Sequence, residues 1–300
     1  MFEKYIFRAS SLGNLMTETK EKSNIDKYKD GVASLDKLKD EYNSMSKFNK
    51  DGVTPSKLAE NKLEKIKALD LVVRELEKVK DDVVLSDTAK VFLMDIYIKE
   101  TTGRKTELEN KYVKKGLQVE ENAITLYSRV KKSFFKKNET HLKNLFVMGT
   151  PDIFEGESIH TATKIPDIKS SWDIFTFYRT FTKKLANIYF WQIIAYMWLT
   201  GARKGSVAYC LVDTPEPLIQ SEINRLWYKL GQPHMEGELM LQAEKDVRKN
   251  MTYGDLDFRK LVLEYEVEWS DEYPIKIEKY VKAGRKYLAE IHEQLTIKQS

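Results

Sequence analysis

Between residues 58 and 79 the apolar side chains Leu58, Leu63, Ile66, Leu69, Val73, Leu76 and Val79 recur at helical spacing. They predict an amphipathic helix running to about residue 83, with Thr54 as its N-cap and Pro55 in its first turn. Ser86 caps a second helix, SDTAKVFLMDIYIKETTG, which Gly103 closes. Upstream, residues 17–52 are lysine-rich and poor in large apolar side chains, the pattern of a weak helix or a mobile loop. Residues 17–105 thus read as a helical insertion or arm without chemistry of its own.

After Gly116 the pattern changes. LQVEENAITLYSRVKK predicts a helix with Val119, Ala123, Leu126 and Val130 on its buried side. Short strands are expected around 145–148, 152–156 and 162–169, then a buried helix over about 183–199 and a strand at SVAYCLVD. Helices near 216–230 and 236–249 follow. In LVLEYEVEWS, Leu263, Tyr265, Val267 and Trp269 alternate with Glu264, Glu266 and Glu268, as in a strand with one face buried and one in water. A last amphipathic helix covers about 275–296. The order predicts an α/β fold, a central mixed β-sheet flanked by helices, with its core assembled from residues 1–16 and 106–300.

Composition narrows the chemistry. With one cysteine in 300 residues, an internal disulfide framework, a zinc knuckle and a cysteine-ligated iron–sulfur cluster are all excluded. Cys210, inside SVAYCLV, reads as a small hydrophobe. The four histidines lack ligand spacing, which leaves oxygen-ligated metals such as Mg²⁺ or Mn²⁺ open. The longest apolar stretch, residues 188–199, is too short for the roughly 20 residues that span a bilayer, and the N-terminus lacks an apolar signal segment. A soluble, intracellular protein is expected. The formal charge is only +4, but residues 111–210 hold 16 Lys+Arg against 8 Asp+Glu. That excess suits a polyanionic partner and equally suits an ordinary lysine-rich surface.

Within the basic stretch lies GTPDIFEGESIHTATKIPDIKSSWDIF, residues 149–175. On a strand, Asp167 and Lys169 share a face about 7 Å apart while Ile168 enters the core. A chain reversal near 158–161 returns Asp152 opposite Asp167, so two carboxylates meet beside one ammonium. Such a pair raises a pKa or recruits a cation, and a divalent ion with a bound phosphate makes the lysine useful. Three further positions carry two readings each. Glu120, in the first turns after Gly116, either points along the sheet edge toward this pair or is a solvated helical glutamate. Gln192, the one strongly polar side chain between Ile188 and Leu199, is either a core amide bonded to backbone or an amide reaching a phosphate or water. Its neighbours Phe190, Trp191, Tyr196 and Trp198 read as core. Arg8, Ser10 and Ser11 precede a short apolar run, and the serines either cap a helix or bind an anion such as a 5′-phosphate.

Taken together and in this order, RASSLGNL (8–15), GLQVEENA (116–123), GTPD (149–152), DIK (167–169) and YFWQIIAYMWLTG (189–201) resemble the PD-(D/E)xK nuclease superfamily. More closely they resemble phage recombination exonucleases of the lambda exonuclease / YqaJ type. The resemblance covers about residues 5–16 and 111–212, and residues 17–105 match nothing in it. It implies a restriction-endonuclease-like core and Mg²⁺-dependent hydrolysis of DNA, with Mn²⁺ able to substitute. Asp152, Asp167, the Ile168 carbonyl and Glu120 become the metal ligands, Lys169 the catalytic cation, and Gln192 a phosphate- or water-positioning amide. Ser10, ahead of Ser11, and Arg8 become phosphate-binding residues. Asp167 stands where many relatives carry Glu, and Glu3 lies near where the lambda-type enzyme has an arginine, leaving Arg8 as the available substitute. Further implications are processive 5′-to-3′ digestion from double-stranded DNA ends, a homo-oligomeric ring and a single-strand annealing protein as partner. The location implied is the cytoplasm, that of a bacterial host if the chain is phage-encoded. An endonuclease of the same superfamily and a non-catalytic DNA-binding or assembly protein are the alternatives.

Overall fold

The computed structural model describes residues 2–50, 52, 56–104, 110–230 and 237–297. The elements run β1 (Phe7–Arg8), α1 (Leu12–Leu15), α2 (Asn24–Ser44), α3 (Lys57–Val79), α4 (Asp87–Thr102), α5 (Lys111–Lys131), β2 (Leu142–Lys143) and β3 (Val147–Gly149). There follow β4 (Lys164–Ser170), α6 (Ile174–Thr180), α7 (Asn187–Thr200), β5 (Lys204–Cys210), α8 (Glu216–Leu230), α9 (Glu238–Met251), β6 (Val262–Glu268) and α10 (Glu272–Ile297). This is the expected α/β class. Its strands make two separate three-stranded mixed pieces, ordered β1-β3-β2 and β4-β5-β6, each with one parallel and one antiparallel pairing.

The second piece carries the site. In it Ile165, Val207 and Val267 join the main core beneath α7, whose Ile193, Ile194 and Met197 are fully buried. Gly205 permits that approach, since a Cβ there would stand 2.7 Å from Ile193 and Met197 side-chain atoms. The opposite face presents Ile168, Ala208 and Cys210 to Val119, Ala123 and Tyr127 of α5. Cys210 is fully buried there, and burial pushes its thiol pKa up.

Covering both faces changes the reading of β6. Glu264 does not face water. It accepts hydrogen bonds from Tyr127, Ser206 and Lys164, and pairs with Lys131 of α5. Burial alone would raise its pKa, but these donors outweigh it and hold the carboxyl down at about 2.

Elsewhere the helices take their bounds and partners from more than their local patterns. Residues 24–44, read as weak helix or loop, form α2, with Ser23 accepting from the Asp26 N–H; Leu35 packs with Ile66 and Val73 of α3 in a separate cluster. The Thr54–Pro55 start lies outside the described residues, and α3 begins at Lys57 behind Ser56. By contrast Ala89, Leu93 and Ile96 of α4 enter the main core with Phe7, Leu15 and Leu288. Finally, α5 starts five residues before Gly116, because Asn110 accepts from the Tyr112 and Val113 N–H groups. Glu120 therefore sits mid-helix rather than in a first turn.

Candidate active site

Residues 152–156 do not form the expected strand. A single antiparallel bridge, Glu155 with Lys164, closes the reversal, with Glu155 N–H donating to Lys164 O at 2.9 Å and a 3₁₀ turn over Ile159–Thr161. That bridge has the same sequence midpoint as Asp152 and Asp167, so the carboxylates still meet. Pro151 is buried, and its carbonyl accepts from the Asn138 side chain, while Asp152 O accepts from the Asn138 N–H at 2.8 Å. These bonds fix the segment without a ladder.

Asp152 Oδ2 accepts from the Ile168 N–H at 2.7 Å. Asp167, fully buried, projects from β4 on the face covered by α7, and Lys169, two residues on, shares that face. Lys169 Nζ stands 2.8 Å from Asp167 Oδ2, while Asp167 Oδ1 accepts from Gln192 Nε2 at 3.1 Å. Oδ2 has the ion pair but no aligned hydrogen bond, one of few such buried side-chain atoms among the described residues.

Two carboxylates therefore share one ammonium, with Asp167 fully buried and Asp152 and Lys169 partly exposed. Burial, then the charge of Asp167, pushes the Asp152 pKa up to about 7. Burial likewise lifts Asp167, against the pull of the Lys169 ammonium. Burial would lower Lys169, but the two carboxylates outweigh it and raise its pKa, keeping it an ammonium. The arrangement lacks positive charge.

Gln192 meets neither backbone nor open solvent. Its amide donates to Asp167 and to Tyr196 Oη, at 3.1 Å each. Tyr196, read from sequence as plain core, is thus a neighbour of the site; its place four residues after Gln192, one helical turn on, was the available signal. Tyr189, beneath Lys169 at 5.2 Å from ring centre to Nζ, was also missed, as was Tyr209, which faces Lys169 in the β4–β5 register.

Glu120 does not complete the cluster. Its carboxylate pairs with Lys137 at 2.6 Å, near enough to Asp152 only to add a weak like-charge push. Among the described residues no three His, Cys, Asp or Glu side chains gather to hold a metal ion. The Asp152–Asp167 pair itself fits a hard divalent cation: its oxygens carry surplus negative charge, and one lacks a hydrogen bond. Ile168 contributes its N–H to Asp152, and its side chain lies in the second core cluster.

At the N-terminus, β1 pairs in parallel with β3, Arg8 opposite Met148. This sets Ala9 beside Gly149, where a Cβ would stand 2.6 Å from Tyr196 Cε1 and 3.1 Å from Ala9 Cβ. Ser10 and Arg8 are exposed. Ser11 stands at the N-cap position of α1 but makes no side-chain cap hydrogen bond, donating its hydroxyl instead to Arg8 O at 3.3 Å.

No helix among the described residues is long and apolar enough to cross a membrane. Neither a protein-family model nor a curated protein matches the chain. Solved structures do. A phage related exonuclease from Haemophilus somnus 129PT is similar over 97% of both chains, at 20% identity with a TM-score of 0.63. An alkaline exonuclease from Laribacter hongkongensis covers 74% of this chain and 90% of its own, at 15% identity and a TM-score of 0.48. The first likeness, end to end, shows that this chain has the fold of that phage related exonuclease.

Proposed function

We propose that this chain is a Mg²⁺-dependent exonuclease that hydrolyses phosphodiester bonds from the ends of linear duplex DNA, 5′ to 3′, in phage-type recombination or DNA end processing. One observation carries the reading: Asp152, Asp167 and Lys169 converge at the edge of β4 with more negative than positive charge. The order of the sequence motifs and the shared fold support it.

Asp152 and Asp167 are the residues that would hold the cation, with the Ile168 carbonyl, and with Glu120 once it leaves Lys137. A bound Mg²⁺ supplies Lewis-acid polarisation of the phosphate and an acidified water. Lys169, held protonated by its two carboxylates, acts as a fixed cation and donor to phosphoryl oxygens rather than as a general base. Gln192 spends its amide on Asp167 and Tyr196, so it orients the ligand carboxylate rather than the phosphate. Ser10, ahead of Ser11, and Arg8 are the residues that would bind a terminal phosphate; Ser10 and Arg8 are exposed next to the GTPD segment. The same reading includes a single-strand annealing protein as partner, a ring of copies around the duplex and the bacterial cytoplasm as its setting.

The test is digestion of linear and covalently closed circular duplex DNA in Mg²⁺, in Mn²⁺ and in EDTA. Loss of the linear form alone, only with metal, is expected. Cutting of the closed circle would make the protein an endonuclease, and intact DNA in both metals would remove the hydrolase reading.

A further inference from the structure

Four residues beyond β4, helix α6 turns three large aromatic side chains to solvent. Phe175, Tyr178 and Phe181 are 52%, 51% and 71% exposed. They are spaced by three, and Phe181 keeps helical dihedrals, so the rings line one face. The helix is not loose. Asp173 forms a capping box with Thr176, and Phe177 is buried in the second core cluster. Between residues 174 and 186 the sequence IFTFYRTFTKKLA has three basic side chains, Arg179, Lys183 and Lys184, and no acidic one.

The stripe is tied to the candidate site by further rings. Tyr265 donates its hydroxyl to Thr180 O at 2.6 Å, at the end of α6. Tyr265 meets Tyr209 edge-on at 5.9 Å, Tyr209 meets Tyr189 at 6.1 Å, and Tyr189 lies 5.2 Å from Lys169 Nζ. All three tyrosines are only half-buried. A run of ring faces and edges thus leads from the lysine of the site to a basic, aromatic surface.

We propose that this run is a track for an unpaired DNA strand beside the scissile phosphate, with bases stacking on Phe175, Tyr178 and Phe181 and phosphates meeting Arg179, Lys183 and Lys184. It rests on the nuclease reading and adds a single-strand subsite to it. Exposed aromatic rings cost solubility unless something covers them, and the positive charge selects a polyanion with flat apolar faces. Stacking tolerates any base, so the subsite is indifferent to sequence.

The experiment is fluorescence anisotropy of labelled oligo-dT against the full chain in EDTA, for wild type, F175L/Y178L/F181L and K183Q/K184Q. Leucine keeps apolar area but removes the ring faces. An affinity loss of about tenfold per stacked base is expected for the leucine variant, with an unchanged salt slope. The lysine variant should flatten the slope by about one for each phosphate it no longer neutralises. Phe181→Trp supplies a second readout, since stacked bases quench indole emission. Equal oligo-dT affinity in wild type and the leucine variant, with no quenching at Trp-substituted 181, overturns the proposal. So does a shift in oligomeric state by light scattering with affinity intact, which would make the stripe a contact between copies. Wild-type protein that binds oligo-dT but hydrolyses no DNA in Mg²⁺ removes the nuclease reading instead, so the two failures are distinct.

Discussion

Replacing Asp152 by Asn should make the metal-free protein more stable. In the fold its carboxyl has a pKa of about 7, against roughly 3.9 in an unfolded chain. The folded state therefore holds a proton the unfolded state has lost, and stability from this group falls as pH rises from about 4 to 7. The gap between those two pKa values corresponds to about 4 kcal/mol as an upper bound near pH 8. Partial exposure of Asp152 and rearrangement around the pair reduce this to about 1–3 kcal/mol. Asn keeps an oxygen for the Ile168 N–H and carries no charge, so it removes the penalty and spares the hydrogen bond. At about 2 °C per kcal/mol for a chain of this size, the apo Tm should rise by roughly 2–6 °C at about pH 8. At about pH 4, where Asp152 is protonated in the fold and nearly half protonated in the unfolded chain, the difference between the two proteins should nearly close. Mg²⁺ should raise the wild-type Tm at the higher pH and leave D152N nearly unmoved. The assay is calorimetry of both proteins at both pH values, with EDTA and with Mg²⁺. A D152N protein less stable than wild type at the higher pH, by an amount independent of pH, would refute the claim of an uncompensated buried carboxylate.

Other consequences follow from the same geometry. Glu264, with its folded pKa near 2, adds stability that is full above about pH 4.3 and lost as pH falls toward 2; E264Q should remove about 2–4 kcal/mol at neutral pH and flatten that acid limb in urea titrations. Gly149→Ala places a methyl against the Tyr196 ring and should cost about 1–3 kcal/mol, read as a lowered urea midpoint. Gln192→Leu strands Asp167 Oδ1 and the Tyr196 hydroxyl without their amide, and should cut the hydrolysis rate roughly tenfold or more while raising the Mg²⁺ concentration needed for half-maximal rate.

The site was legible where chemistry and local geometry coincide. The period of a strand is enough to put Asp167 and Lys169 on one face, and the midpoint of a reversal is enough to return Asp152, even though the chain makes one bridge there instead of a strand. Gln192 stood out because a lone amide in an apolar helix needs partners, though sequence could not say they would be Asp167 and Tyr196. What stayed hidden depends on tertiary covering. Glu264 reads as a solvent residue until α5 lays Tyr127 and Lys131 over it. Two-residue β1 is too short to show a period, and its pairing with β3 is what brings Ala9 to Gly149. The start of α5 depends on one asparagine cap, and Lys137, beyond the end of that helix, is what pairs with Glu120. Residues 24–44 are helical because α3 offers Ile66 and Val73 to Leu35, a contact invisible in their own lysine-rich pattern.

The central claim is that Asp152, Asp167 and Lys169 form one cation-dependent hydrolytic centre. Its most direct measurement is the release of nucleotides from 5′-end-labelled and 3′-end-labelled linear duplex DNA by wild type and K169A, in Mg²⁺ and in EDTA. Wild type should release label only in Mg²⁺, from the 5′ end first, and K169A should be slower by about a thousandfold or more. K169A protein that degrades the duplex at the wild-type rate, or wild type equally active in EDTA, would contradict the account.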